Sequence, residues 1–167
     1  MRWTPVFWNT SWFKMRPPHT LGLVCDPSNP IFRDFPTDDY SDVQWWDIIE
    51  RAQVMHLEDF PKGFRPLVQP IDTWFLNRRL GLIFEARVGK GRLVVSGADL
   101  SPDIGFDRPA ARQLYYSIQR YMQSDDFRPV YTVDCAVVKD LFTTGSRLVY
   151  HVYTKSGPDE LRPKSTK

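Results

Sequence analysis

The sequence lacks the residue patterns that would place it in a metal-binding or disulfide-rich class. Its two cysteines, Cys25 and Cys135, have no CxxC spacing, which argues against a disulfide scaffold and a structural zinc site. We expect two free, buried thiols. The histidines His19, His56 and His151 stand far apart, without the HxH or HxxxH spacing of a metal site. The sequence therefore predicts no metal and no cofactor, and hydrogen-bonded or solvated histidines.

Strong charge and long apolar runs are missing as well. The formal net charge is +2 with 25% charged residues, which is too balanced for a nucleic-acid-binding surface. No run of about 18 apolar residues suggests a membrane span, and the first residues do not have the pattern of a signal peptide. We expect neither nucleic acid nor membrane as a partner. A length of 167 residues favours one domain with one core.

Motifs for phosphate binding and for glycosidic cleavage are absent or incomplete. The glycines around Lys90 match neither GxGxxG nor GxxxxGK[ST], so VGKGR indicates a turn. Two carboxyl groups at a suitable separation are needed to cleave a glycosidic bond, and adjacency in sequence does not establish that separation. Three acidic pairs are available: Asp38 with Asp39, Asp47 with Glu50, and Asp99 with Asp103. We expect none of them to be catalytic.

Aromatic residues are what the sequence has in excess, with six Trp, seven Tyr and eleven Phe. The opening stretch MRWTPVFWNTSWF holds Trp3, Trp8 and Trp12. Such rings stack on sugars, dock on another domain or fill a core, and the sequence leaves all three interpretations open. Sugar binding would combine rings with nearby carboxylates, amides and arginines. The candidate residues are Trp8, Trp12, Trp45, Trp46, Asp47, Asp72, Asn77 and Arg78.

Local patterns in the first half predict a strand followed by a helix. The apolar run before Cys25 indicates a buried strand at the centre of a sheet. The stretch SDVQWWDIIERA predicts a helix in which Ser41 is the N-cap and Gln44 completes a capping box. Trp45 and Trp46 would lie about 100° apart around its axis. Both can be buried only if that face is broad.

The strongest local signal is a β-hairpin in LGLIFEARVGKGRLVVSGADL, with a turn at Gly89-Lys90-Gly91. The uninterrupted run Leu93–Val95 is typical of a strand covered on both faces. Two further helices are predicted in RPAARQLYYSIQRYMQS and VDCAVVKDLF. This order predicts a layered α/β domain with a mostly parallel central sheet and helices on both faces. After Thr143, RLVYHVYT indicates an edge strand and the rest a polar tail.

Cys25 follows a predicted strand, where α/β proteins often place catalytic groups. Asp26 and Pro27 come directly after it, so the small residues of a nucleophile elbow are missing. An adjacent carboxylate raises the pKa of a thiol and lowers its reactivity. We therefore expect a buried, unreactive cysteine. A small hydrolase or amidotransferase that uses Cys25 is therefore the hypothesis that we rank below the two non-enzymatic functions described next.

Four long phrases of the chain resemble the C-terminal region of bacterial glycoside hydrolase family 2 proteins, the β-galactosidase-like and sugar-binding-domain proteins of gut Bacteroidetes. The phrases are PVFWNTSW, HTLGLVCDPSNPIFRDFPTDDYSDVQWWDII, PLVQPIDTWFLNRRLGLIFEARVGKGRLVVSGADL and RPAARQLYYSIQRYM. The resemblance runs from Thr4 to about Phe142. It implies a three-layer flavodoxin-like fold of the class I glutamine-amidotransferase type over residues 1–142, with a C-terminal extension at 143–167.

The resemblance also implies an accessory function. In family 2, the catalytic glutamates belong to a separate barrel domain, and nothing in this chain matches that barrel. The implied function is a non-catalytic accessory domain for domain packing, oligomerisation or substrate positioning, and an independent carbohydrate-binding module is the alternative. The implied partners are the other domains of a periplasmic or extracellular parent hydrolase, an oligosaccharide, and a second copy in a weak homodimer through the aromatic N-terminal segment.

Overall fold

The computed structural model of the chain describes residues 3–5, 22–50, 52–72, 77–100 and 107–143. Within these ranges it has seven strands and three α-helices. The strands are β1 (Trp3–Pro5), β2 (Leu23–Cys25), β3 (Gln53–His56), β4 (Val68–Pro70), β5 (Leu80–Gly81), β6 (Ile83–Val88) and β7 (Gly91–Ser96). The helices are α1 (Val43–Glu50), α2 (Pro109–Met122) and α3 (Cys135–Thr143). One sheet has the order β1-β3-β5 and the other β2-β4-β6-β7.

The strands of both sheets pair antiparallel, so the predicted mostly parallel sheet of a flavodoxin-like or amidotransferase-like fold is wrong. Among the described residues, one isolated bridge, between Arg87 and Thr132, is parallel. Parallel neighbours need a crossover of about a dozen residues or more, whereas a two-residue turn joins β6 to β7. The strand β2, predicted at the centre of a sheet, is the first strand in the order of the four-stranded sheet and pairs only with β4 among the described strands.

The predicted hairpin is confirmed. Strands β6 and β7 pair in register from Ile83 with Ser96 to Val88 with Gly91. Gly89 in the turn has a φ of 56°, a left-handed conformation that glycine adopts without steric cost. Side chains alternate along β6. As a result, Ile83 packs in one hydrophobic core, and Val88 packs against a second core on the opposite face.

The helix α1 begins one residue later than its predicted cap requires. The Oδ1 atom of Asp42 accepts hydrogen bonds from the backbone N–H groups of Gln44 and Trp45, at 3.0 and 3.3 Å. Asp42 is therefore the capping residue, and the prediction of Ser41 is wrong. The side chain of Gln44 donates to the carbonyl of Pro36 at 2.7 Å and does not close a capping box. The other two predicted helices are confirmed as α2 and α3.

The first core lies between α1, α2 and one face of the four-stranded sheet. Trp45 is fully buried there, with the rings of Phe32 and Phe35 meeting it edge-on. Its Nε1 donates to the Thr37 hydroxyl at 2.7 Å. Further buried members are Leu23, Cys25, Ile31, Ile48, Ile49, Ala52, Val54, Val68, Leu80, Leu82, Ile83, Ala111, Leu114, Ile118, Tyr121 and Phe127.

The second core lies on the other face of the hairpin, under α3. The rings of Phe60, Phe64 and Phe84 contact one another with centroids 4.9 to 5.6 Å apart. Leu141 of α3 is buried in the same cluster. The guanidinium of Arg79 donates to four backbone carbonyls between residues 57 and 64. Arg79 thereby holds the loop that carries two of the three phenylalanines.

Some sequence predictions concern residues beyond the described ranges. His19, His151 and the edge strand predicted after Thr143 are among them. His56 is described: it is buried, and its Nδ1 lies 3.4 Å from Oε1 of Glu58. Within the described ranges, none of the helices has the length and apolar character needed to cross a bilayer.

Candidate functional site

Among the described residues, those predicted to bind sugar have different surroundings. Trp8 and Trp12 lie outside the described residues. Trp45 is 0% exposed, whereas Trp46, the next residue on α1, is 49% exposed. The two side chains thus point to different surroundings, as their separation of about 100° around the helix requires. Trp45 is a core residue and cannot stack on a ligand.

Asp72 and Arg78 form a buried ion pair with each other. Arg78 donates from Nε to Oδ2 of Asp72 at 2.7 Å and from Nη2 to Oδ1 at 2.8 Å. The backbone N–H of Arg78 also donates to Oδ2, at 2.7 Å. Asn77 precedes it with a φ of 47°, a left-handed conformation that asparagine tolerates better than most residues. This bidentate arrangement ties Asp72, which follows β4, to Arg78, which precedes β5.

Asp47 belongs to a second ion-pair cluster, centred on the buried Arg108. The Nε atom of Arg108 lies 3.3 Å from Oδ1 of Asp47, and its Nη1 lies 3.1 Å from Oδ2 of Asp99. Arg108 also donates from Nη2 to the Asp47 carbonyl at 3.1 Å. One guanidinium therefore holds both carboxylates and joins α1 to the start of α2. Asp47 and Asp99 each belong to one of the acidic pairs in the sequence, and in the fold each is an ion-pair partner of Arg108.

The prediction that Cys25 is buried is confirmed. Its Sγ donates to the carbonyl of Asp38 at 3.3 Å. Burial first, and then the nearby carboxylates of Asp39, Asp26 and Asp42, raise the pKa of the thiol to about 11. At neutral pH the thiol is protonated and a poor nucleophile.

Cys135 differs from Cys25 in its surroundings. Both cysteines are free, and Cys135 at the start of α3 is exposed. The prediction of a buried thiol is therefore wrong at this position. A hydrophobic helix does not bury every side chain, and Cys135 lies in the first turn, where α3 leaves the preceding loop.

A cleft of about 450 Å³ opens beside Cys25, at a gap in the four-stranded sheet. One edge of β6 is occupied by β7. On its other edge, β4 pairs with Ile83, and the segment 131–133 hydrogen-bonds to Arg87. Glu85 lies between these two contacts and lines the cleft. The cleft is thus the space left where two chain segments share one strand edge without meeting.

Glu85 is the half-buried titratable group of this cleft. Its Oε2 accepts a 2.6 Å hydrogen bond from the hydroxyl of Tyr121 on α2. Burial raises the pKa of the Glu85 carboxyl, and the hydrogen bond from Tyr121 opposes that shift. Burial, followed by the contact with Glu85, raises the pKa of the Tyr121 hydroxyl. Tyr121 therefore remains a hydrogen-bond donor over the whole physiological range and orients the carboxylate.

Other polar groups of the cleft have unused hydrogen-bonding capacity. The guanidinium of Arg65 and the side-chain amide of Gln69 make no hydrogen bond or ion pair with the described residues. Asn29 uses its Oδ1 to accept the backbone N–H of Ile31 at 3.0 Å. The ring of Tyr131 packs on Phe64 with centroids 5.0 Å apart. The remaining lining is mainly apolar: Val24, Pro66, Leu67 and Val130.

Sequence reasoning missed this cleft because its walls come from segments far apart in the chain. Strand β2, the residues before β4, the middle of β6 and the segment 130–131 each contribute. The one available signal was Glu85, a single carboxylate inside the apolar run LGLIFEA. A charged residue in a strand covered on both faces needs a partner or access to water.

The residues that line the cleft all lie in a part of the chain that matches a known family model. The model, described as a domain of unknown function (DUF8487), matches residues 1–143. The chain belongs to this family. A search of curated proteins found no match. Within the described ranges, no three His, Cys, Asp or Glu side chains are grouped as metal ligands.

Proposed function

We propose that the chain is a non-catalytic accessory domain of a glycoside hydrolase family 2-like protein. Its task would be to pack against other domains, to support oligomerisation or to position a polysaccharide. Two arguments support this proposal. The first is the set of long phrases that resemble the C-terminal region of those proteins, and the second is that candidate carboxylates form ion pairs within the fold.

The observation that carries the proposal is that three of the candidate carboxylates, two from the acidic pairs and one from the predicted sugar site, already have arginine partners. Asp72 is held by Arg78, and Asp47 and Asp99 are both held by Arg108. A carboxylate whose oxygens are engaged by a guanidinium is less available to contact a substrate. We therefore assign these three carboxylates a structural role, because a reaction at any of them would break an ion pair that stabilises the fold.

Two further carboxylates, those of Glu85 and Asp26, line the cleft. Glycosidases use one carboxyl group of raised pKa and one that stays ionised. Burial raises the pKa of Glu85, and hydrogen bonds from Ser28 lower that of Asp26. Asp26 is exposed, and its Oδ1 accepts from both the hydroxyl and the N–H of Ser28, at 2.6 and 2.9 Å. This is the hydrogen-bonding pattern of a turn, so we assign Asp26 to the turn after β2.

A turnover assay tests the non-catalytic assignment directly. The purified chain is incubated with aryl β-galactosides and with β-linked oligosaccharides, beside the Glu85→Gln and Asp26→Asn variants. We expect no turnover above that of buffer for any of the three proteins. Turnover by the natural chain that either substitution abolishes would contradict the proposal.

Thiol labelling tests the competing hypothesis of a Cys25-dependent enzyme. With iodoacetamide at neutral pH, we expect the folded chain to be labelled at the exposed Cys135 and to be labelled at Cys25 only after denaturation. The Cys135→Ser variant should therefore lose the rapid labelling. Equal labelling rates at the two thiols in the folded chain would revive the enzymatic hypothesis.

A further inference from the structure

We propose that the cleft lined by Asn29, Arg65, Gln69, Glu85 and Tyr131 binds a neutral, hydroxyl-rich ligand of about one or two sugar rings. The location follows from the structure, and the choice of a saccharide rests on the proposed function. The described residues that line the cleft include none of those in the tryptophan-based site that the sequence predicted. We refer to it below as the Glu85 cleft.

The size and construction of the Glu85 cleft suit a small ligand. Pockets that hold small molecules measure roughly 300–1,000 Å³, and this cleft measures about 450 Å³. Its two sides are fixed to β6 by backbone hydrogen bonds, through β4 at Ile83 and through segment 131–133 at Arg87. A cleft with walls held in this way costs little ordering entropy when a ligand enters.

The polar lining offers both hydrogen-bond acceptors and hydrogen-bond donors to the hydroxyl groups of a ligand. The carboxylate of Glu85 accepts hydrogen bonds, Arg65 donates them, and the amide of Gln69 does both. A hydroxyl group donates and accepts at once, so a ring with several hydroxyls can use all three side chains without carrying charge. Tyr131 and the apolar residues between them offer surface for the C–H faces of a sugar ring.

The charge of the Glu85 cleft argues against an anionic ligand. Among the described residues of the lining, Arg65 is the one basic side chain, and it is accompanied by the acidic Asp26 and Glu85. Phosphate and carboxylate ligands are usually held by a surplus of donors such as paired arginines. A neutral ligand avoids repulsion from the two carboxylates.

Titration of the ¹⁵N-labelled full chain with neutral sugars tests the inference. The probes are galactose, lactose and cellobiose, with galacturonate as the anionic comparison and a neutral tetrapeptide as the peptide comparison. We expect amide shift changes at Gln69, Glu85 and Tyr131 with at least one neutral disaccharide, and weaker ones with galacturonate. A tetrapeptide that binds more tightly than every sugar would overturn the inference.

Matched substitutions test whether binding uses these side chains. Arg65→Ala and Gln69→Ala should each weaken binding about tenfold, since each removes hydrogen bonds to the ligand. Neither side chain has a structural partner among the described residues, so both variants should keep the thermal stability of the natural chain. The controls are Lys62→Ala on the same loop as Arg65, and Gln119→Ala on α2. Both controls should bind as the natural chain does.

Several outcomes would refute the inference and still leave the proposed function standing. One is the absence of shift changes with all neutral sugars, and another is a response centred on Trp46 with the Glu85 cleft unaffected. A third is sugar binding whose affinity is unchanged in both Arg65→Ala and Gln69→Ala. Conversely, sugar binding at the cleft together with turnover that Glu85→Gln abolishes would sustain the site and refute the non-catalytic function.

Discussion

The two faces of the β6–β7 hairpin are built on different principles. On the side of α1 and α2, buried polar contacts join the elements: the Ser117 hydroxyl donates to the carbonyl of Ile31 at 2.5 Å, and Tyr121 donates to Glu85. On the side of α3, the second core consists of phenylalanine and aliphatic side chains. Its polar anchor, Arg79, makes its contacts with backbone carbonyls of the neighbouring loop.

This difference shows where a binding site can develop in such a fold. Apolar burial contributes free energy without specifying direction, whereas buried hydrogen bonds fix particular atoms relative to one another. The first core brings Cys25 and Glu85 to the cleft and orients Glu85 through Tyr121. The second core supplies the supporting wall, through Phe64 under the ring of Tyr131. The following experiments test this division between the two faces.

The largest effect is expected from Trp45→Ala in the first core. The change removes a fully buried indole and its hydrogen bond to Thr37, and it should lower the free energy of unfolding by about 3–5 kcal/mol. Urea denaturation measures the loss. Trp45→Phe keeps a ring in place and should cost less, which preserves the test if the alanine variant fails to fold.

The neighbouring tryptophan provides the matched control. Trp46→Ala alters a side chain that is 49% exposed, and its cost should be clearly smaller than that of Trp45→Ala because less apolar area returns to water. Equal losses for the two variants would show that the assigned helix orientation is incorrect.

An intermediate effect is expected from Arg79→Lys beside the second core. Lysine keeps the charge but cannot reach four carbonyls with a planar fork, so we expect a loss of about 2–3 kcal/mol. Hydrogen exchange should become faster in residues 57–64. Arg33→Lys is the control, since Arg33 forms an exposed ion pair with Asp126 that contributes about 1 kcal/mol or less. An unchanged exchange pattern in Arg79→Lys would refute the anchoring function.

A smaller effect is expected from Ser117→Ala, which removes a polar contact of the first core. The hydroxyl donates to Ile31 and accepts the N–H of Asp34 at 3.2 Å. Its loss should cost about 1–2 kcal/mol, partly offset by the better helix propensity of alanine. Ser28→Ala, at an exposed turn, should change stability by about 0.5 kcal/mol or less. Chemical denaturation of both variants compares them, and equal small changes would contradict the polar anchoring of this face.

The local elements could be predicted because their signals lie within a few residues of each other. The turn at Gly89 and the apolar stripe of α2 are of this kind, and both are confirmed. Strand direction could not be predicted, since it depends on partners distant in sequence: Leu23 pairs with Pro70. The predicted helix cap was wrong because Ser41 and Asp42 are neighbouring residues that both suit this position, and in the structure the side chain of Asp42 accepts the N–H groups of the first turn.

The candidate site was predictable only in part. The burial of Cys25 and its raised pKa follow from a short apolar strand with a carboxylate directly after it. The arginine partners of Asp47 and Asp72 were not predicted: Arg108 is 61 positions from Asp47, and Arg78 pairs with Asp72 directly after Asn77, whose φ is 47°. Arg65 and Gln69 belong to no sequence motif that would indicate a binding site. Their relevance arises only when the chain brings them beside Glu85.

The smallest effect is expected from Glu85→Gln, which tests the polar contacts on the α1 and α2 side of the hairpin. The quantity measured is the dependence of stability on pH. Because burial raises the pKa of Glu85 above its ordinary value of 4.5, the folded chain holds this proton more tightly than the unfolded chain. Stability should therefore fall as pH rises from about 4.5 through the folded pKa, and stay lower above it. Glutamine still accepts the Tyr121 hydrogen bond but does not ionise. The difference in melting temperature, variant minus natural chain, should thus grow with pH and then level off. Tyr121→Phe removes the hydrogen bond that lowers the Glu85 pKa, so it should move this transition to higher pH. A difference independent of pH would show that folding does not raise the Glu85 pKa.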